Sequence, residues 1–314
     1  MDSIKREFGP KPLIKVSPYT TAVIELTIAG VLWGSSFTLV RWGLEDFTAP
    51  SLLFWRYLIA FVVGEVFLRL ISKKQYESSW SDSKLAVSSG VYLGAAVLLQ
   101  SYALKHTTAT NAGFITSLYV IIIPFLMAIF FKYKIRLRHT GLGVMAFAGM
   151  GLLLNLQDLK IAQGELLTLV SAFAAAMQII SIGKVAAKTK SPFRFNNYQI
   201  FWSLVSIVPF LIYENLENHT PIWPEHVHLK SVLAIVTLAV SVSIFACFLQ
   251  VRSQRVLNTT TSSMLCLLEG PFAFFFGALF LQERLDLYQG LGAFIILSSC
   301  ALSVYFDRPK NGSR

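Results

Sequence analysis

Ten apolar runs of about 20 residues constrain this chain more than any other feature. They lie at residues 21–43, 50–71, 84–104, 109–131, 139–156, 163–183, 197–213, 230–251, 260–281 and 287–305. A helix of about 20 residues crosses the ~30 Å hydrocarbon core of a bilayer. Lipid offers backbone N–H and C=O groups no water, so only helices or closed barrels can span it. The runs lack the alternating polar face of a barrel strand, which leaves helices. The pattern predicts an all-α integral membrane protein with ten transmembrane helices. Composition agrees: 54% of residues are hydrophobic, 14% are charged, and the charges collect between the runs.

Charge placement orients the layout. Of the 27 Lys and Arg, 21 fall on one side of an alternating ten-span arrangement and five on the other, with Arg56 inside the second run. Basic residues concentrate in cytoplasmic loops, so both termini are expected in the cytoplasm. Residues 1–20 form a basic, proline-broken cytoplasmic segment without a cleavage site, and 307–314 a cytoplasmic tail. The net charge of +10 is not arranged as a basic groove interleaved with aromatics, so nucleic acid is not an expected partner. Cys247, Cys266 and Cys300 sit inside apolar runs without metal-ligand spacing. His219, His226 and His228 share a polar loop at 214–229 with no periodicity to align them. No metal or cofactor is expected.

An internal repeat organises the runs. Laying 108–156 over 257–305, a shift of 149 matches Gly141-Leu142-Gly143 to Gly290-Leu291-Gly292, and a shift of 147 matches Pro124 to Pro271. Under those shifts the counterpart of Glu269 is Val120 or Ile122. The expected halves are 21–157 and 158–306, five helices each. Because five is odd, the second half would enter the membrane inverted, the plan of secondary transporters whose site lies between the halves near mid-membrane.

Specific residues carry a family resemblance. The first run holds Gly30-Val31-Leu32-Trp33-Gly34-Ser35-Ser36-Phe37, and the second Phe54-Trp55-Arg56-Tyr57. The fourth holds Pro124, and the ninth Glu269-Gly270-Pro271 followed by Gln282-Glu283-Arg284. Together these resemble the ten-span drug/metabolite transporter superfamily, EamA type, over about 22–306. Two departures stand out: Lys132-Tyr133-Lys134 replaces an acid-bearing turn, and Gly270 separates the acid from its proline. The resemblance implies a secondary transporter of small metabolites (amino acids, related metabolites or amphipathic drugs), exporting across a bacterial inner membrane by alternating access. It also implies a cavity lined by spans three, four and six with the first, eighth and ninth.

Glu269 leads the candidate site residues, because a lone acid in a membrane span is costly unless it binds an ion or substrate, or braces the helix. Its binding role makes proton or cation coupling an expectation. Pro124 and Pro271 are expected helix kinks. Arg56, about 8 Å inside its span by helical rise, has three readings: snorkelling outward, pairing with Glu45 or Asp46, or binding a substrate carboxylate. Gln100, Asn111, Tyr119 and Gln178 are uncharged polar groups that bond between helices or line a cavity. Trp33 and Phe37, four residues apart, share a helix face and suit an apolar cavity wall or helix packing. Gly30 with Gly34, and Gly90 with Gly94, permit close helix approach and leave monomer and homodimer both open. An enzyme is not expected, since the spans hold no paired Asp, His-Glu metal set or Ser/Lys dyad. The rival to a carrier is a channel or a lipid-handling scaffold without saturable flux.

Overall fold

The protein is described by a computed structural model over residues 17–71, 80–132, 137–153, 163–282 and 287–308. Most of the two terminal segments, the junction of the expected halves at 157–158, and the turn residues Tyr133, Lys134, Glu283 and Arg284 lie outside the described residues.

Among the described residues every regular element is helical. Eight helices are long and apolar enough to cross a membrane: Pro18–Gly43, Ala49–Leu70, Asp82–Ala103, Gln163–Lys188, Pro192–Asn218, Leu229–Ser253, Thr259–Leu281 and Leu287–Asp307. Two of the ten expected spans differ from that description. The run at 109–131 is divided into α4 (Ala109–Thr116) and α5 (Tyr119–Phe131), and the run at 139–156 is described as α6 over Leu137–Leu153, with the residues on either side outside the described ones. The remaining elements are α1 (Pro18–Gly43), α2 (Ala49–Ile71), α3 (Trp80–Ala103), α7 (Gln163–Val185), α8 (Pro192–Asn218), α9 (Leu229–Thr237), α10 (Cys247–Ser253), α11 (Thr259–Cys266), α12 (Glu269–Leu281) and α13 (Leu287–Asp307). A π-helical stretch, Leu238–Ala246, joins α9 to α10.

Local chemistry sets the ends. The Ser17 hydroxyl accepts from Thr20 N at 3.1 Å and Pro18 opens α1, a pairing that satisfies an orphan donor and pre-sets the first turn. Thr108 caps α4 and Asn258 caps α11 in the same way. At the far ends Lys132 and Gln282 adopt left-handed backbone, with φ of 54° and 58°. Ser191 and Pro192 start α8 five residues earlier than its apolar run suggests, and the helix continues to Asn218, so the polar loop contracts to 219–228.

The bundle exposes large apolar side chains and buries several polar ones within an apolar core. Ile129, Leu70 and Phe294 are exposed, whereas Arg56, Asn196, Asn197, Gln199, Gln250 and Glu269 are buried. A water-facing protein would not expose so much apolar surface. Within the bundle α3 packs between α7 and α8, α6 against α13, and α1 along α12. Glycines allow the closest of these contacts. A Cβ at Gly34 would overlap Phe272, and one at Gly30 would come within 3.0 Å of Leu268 Cβ. Gly90 and Gly94 meet Trp202 and Ser206 on α8 similarly. Both Gly-xxx-Gly pairs are thus used inside one chain.

Charged groups tie the two ends. Glu65 of α2 pairs with Arg194 and accepts from Asn197 Nδ2 at 2.6 Å, while Glu25 pairs with Arg252 at 3.2 Å. At the other end Lys230 reaches Glu45 at 2.6 Å, and His228 reaches Asp46 at 2.8 Å. The Ser231 hydroxyl, with His228, holds the Asp46 carboxyl down to about 2.

Candidate functional site

A cavity lies among α1, α2, α3, α4, α5, α7, the π-helical stretch and α10–α12. Its wall is built by the way several helices are broken. The run at 259–281 bends where Leu267 and Leu268 leave helical hydrogen bonding, so Glu269 opens α12. Pro271 explains the break: it has no N–H to give to Leu267 O, four residues back, and its ring crowds that carbonyl. Neighbouring amides turn to tighter bonds, Leu268 N to Leu265 O at 3.2 Å and Gly270 N to Leu267 O at 3.1 Å.

The same construction recurs 150 residues earlier. Ser117 and Leu118 separate α4 from α5, Leu118 N reaches Ile115 O at 3.1 Å, and Val120 N reaches Ser117 O at 3.1 Å. Here the break precedes Pro124, which lies well inside α5, so Pro124 is not where this span divides. Ser117 Oγ instead donates back to Gly113 O at 2.8 Å, a local bond that competes with the helix ladder. The correspondence corrects the counterpart of Glu269: matching the helix ends places Tyr119 there, the first residue of α5, rather than Val120 or Ile122. Backbone breaks and caps, not glycines or prolines, preserve the register.

Tyr119 and Glu269 both line the cavity and lie within electrostatic reach of each other. Both are buried and face each other at hydrogen-bonding range, although Tyr119 Oη and Glu269 Oε1 make no bond of good geometry with any described residue. Buried polar atoms normally find partners, so the phenol and the carboxyl serve each other unless a ligand comes between them.

Arg56 lines the same cavity and is only 3% exposed, which rules out snorkelling. Its Nε donates to Ser243 Oγ at 2.9 Å, and its guanidinium lies 5.2 Å from the Tyr57 ring centroid. The expected partners Glu45 and Asp46 are held by Lys230 and His228 instead. No described carboxylate forms an ion pair with Arg56. Ser243 belongs to the π-helical stretch, where a wider turn shifts the side-chain register; such insertions recur at functional sites.

Uncharged groups complete the lining. Gln178 and Gln250 exchange amide hydrogen bonds at 3.1 and 3.2 Å. Gln100 Nε2 donates to Thr116 Oγ1 at 3.1 Å, and Ser171 Oγ to Ala96 O at 2.8 Å. Trp33 and Phe37 supply the aromatic wall from α1. The structure thus brings Trp33, Phe37, Arg56, Gln100, Tyr119, Gln178 and Glu269 to one cavity. Asn111 is not among them: it lies in the first turn of α4, where its backbone N–H donates to the capping Thr108 hydroxyl. Sequence reasoning missed Gln250, Ser171 and Thr116. Gln250 lies next to the last residue of the run at 230–251, and its burial depends on α7 lying beside it.

The sequence model of the EamA-like transporter family matches this chain twice, over residues 20–155 and 162–305. The chain belongs to that family. Two relatives from Archaeoglobus fulgidus, each described as an uncharacterized transporter, are similar to this EamA-like chain. One is 26% identical over 276 residues, covering 88% of this chain and 83% of the relative; the other is 24% identical over 285 residues, covering 88% and 95%. A crystal structure of a protein shares its fold at 15% identity, with a TM-score of 0.71, over 92% of this chain and 98% of the other. With its membrane-length helices, this EamA-like transporter is a multi-pass membrane protein.

Proposed function

We propose that this EamA-like transporter is a secondary carrier with ten spans in two inverted five-helix halves, moving a small metabolite through the central cavity by alternating access. One observation supports it above the rest: the cavity holds a buried cation, Arg56, and a buried acid, Glu269, without an ion-pair partner for either among the described residues. Uncompensated buried charge costs several kcal/mol per ion. A substrate carrying both a carboxylate and an ammonium group, as amino acids and their relatives do, would compensate both while its side chain rests on Trp33 and Phe37. When the cavity is empty, protonating Glu269 would serve instead, which links transport to protons. The resemblance to exporters supports outward movement.

Reconstituted vesicles test the reading. A carrier gives saturable uptake of a zwitterionic substrate, accelerated by the same substrate on the opposite side; linear, unaccelerated flux would support the channel reading instead. Glu269→Gln is expected to leave membrane abundance intact while flattening the pH dependence of transport, and transport that still varies with pH would remove Glu269 from the coupling role.

A further inference from the structure

A second hollow opens on the flank of the bundle between the end of α2, the start of α8, the π-helical stretch and α10. Its chemistry is divided. One part is aromatic: Phe67 and Phe245 are 45% and 47% exposed on its surface. Phe67, Phe193 and Phe248 run across it with ring centroids 4.9 and 5.5 Å apart. The other part is basic, with Lys190, Arg252 and Arg255.

The charge is only partly met from within the protein. Glu25 engages Arg252. Arg255 uses one donor on Thr189 O at 3.0 Å, which fixes its guanidinium at the rim and leaves it with no described carboxylate. No described side chain bonds the Lys190 ammonium. Asp82 accepts from the backbone N–H groups of Lys190 and Ser191 at 3.5 Å each, and Glu65 is engaged by Arg194 and Asn197, so the side-chain cations Lys190 and Arg255 carry the site.

We infer that this hollow binds an anionic phospholipid, its phosphate between Lys190 and Arg255 and its acyl chains along Phe67 and Phe245. The occupant is a lipid because the aromatic part faces outward on a bundle whose exterior is apolar, at the depth where helices end and headgroups begin. Basic pockets between helices at this level suit anionic headgroups. A free phosphate would leave the aromatic part unused. The site is separate from the central cavity and does not depend on the carrier reading.

Native mass spectrometry of the full chain in detergent, titrated with phosphatidylglycerol or with phosphatidylcholine of matched chains, decides the matter. The intact protein should retain phosphatidylglycerol in preference. Each basic side chain near an anionic headgroup contributes about a fivefold preference, so Lys190→Ala with Arg255→Ala should reduce it roughly twenty-fivefold. Lys188→Ala with Arg308→Ala removes two exposed charges outside the hollow and should leave the preference unchanged. Phe67→Ala with Phe245→Ala should weaken retention of both lipids. Size-exclusion profiles matching the intact protein establish that each variant is folded. Equal retention of the two lipids, equal loss in the two charge-removed variants, or displacement of phosphatidylglycerol by millimolar inorganic phosphate would overturn the assignment.

Discussion

The paired amides of Gln178 and Gln250 show how much a single residue depends on its partner in this bundle. Each is at most 5% exposed, and each both donates to and accepts from the other. Truncating one leaves the other buried and unsatisfied, whereas replacing both with similar-sized apolar groups removes the mismatch. Gln178→Leu and Gln250→Leu should each cost about 1–3 kcal/mol, and the double variant less than the sum. Thermal unfolding in detergent across the four proteins measures this coupling; additive losses would show the amides to be independent. Gln178 was legible from sequence as a polar group in a span. Its partner was not, because a hydrogen bond between residues 72 positions apart depends on how two helices lie together.

At the scale of elements, glycines and breaks decide where helices meet. Gly34 presses α1 against Phe272 of α12, while Gly141 on α6 has no atom of the described residues within 4 Å of an added Cβ. Overfilling a packed contact typically costs about 1–3 kcal/mol, whereas Ala for Gly in an open helix gains up to about 1 kcal/mol. Gly34→Ala should therefore lower the unfolding temperature and Gly141→Ala should hold or raise it; equal responses would contradict the packing. The spans themselves were readable from apolar length. Their interiors were less so: Pro271 signals its break through the missing N–H, but Ser117–Leu118 breaks seven to six residues ahead of Pro124, and nothing in the apolar stretch Leu238–Ala246 announces a π-helical turn. Those features follow from local hydrogen bonding and from neighbours, which hydrophobicity does not encode.

For the whole molecule, the ten-span reading makes a prediction about sidedness. Every loop alternates sides, and the basic residues favour the cytoplasm for both ends. A green fluorescent protein fused after residue 314 should fluoresce, and alkaline phosphatase fused near residue 158 should be active. An active phosphatase at the C-terminus would require an odd number of crossings or the opposite orientation. The two family matches, and the recurrence of helix ends at one offset, give the molecule two similar parts. Between them lies the cavity to which one part contributes Arg56 and Tyr119 and the other Glu269 and Gln250.

The sequence by itself determined that this chain is helical and spans membranes, because apolar length and the lack of water in lipid leave no other solution. It also singled out Glu269 and Arg56, since charges in such runs are rare. Only the tertiary structure decided that Arg56 turns inward to Ser243, that Tyr119 is the counterpart of Glu269, that Asn111 stays at a helix end, and that Gln250 joins the cavity. Each of these depends on helix rotation and on where a helix breaks. Rotation is set by packing against neighbours distant in the chain, and one residue of slip turns a side chain by about 100°, from the cavity towards lipid.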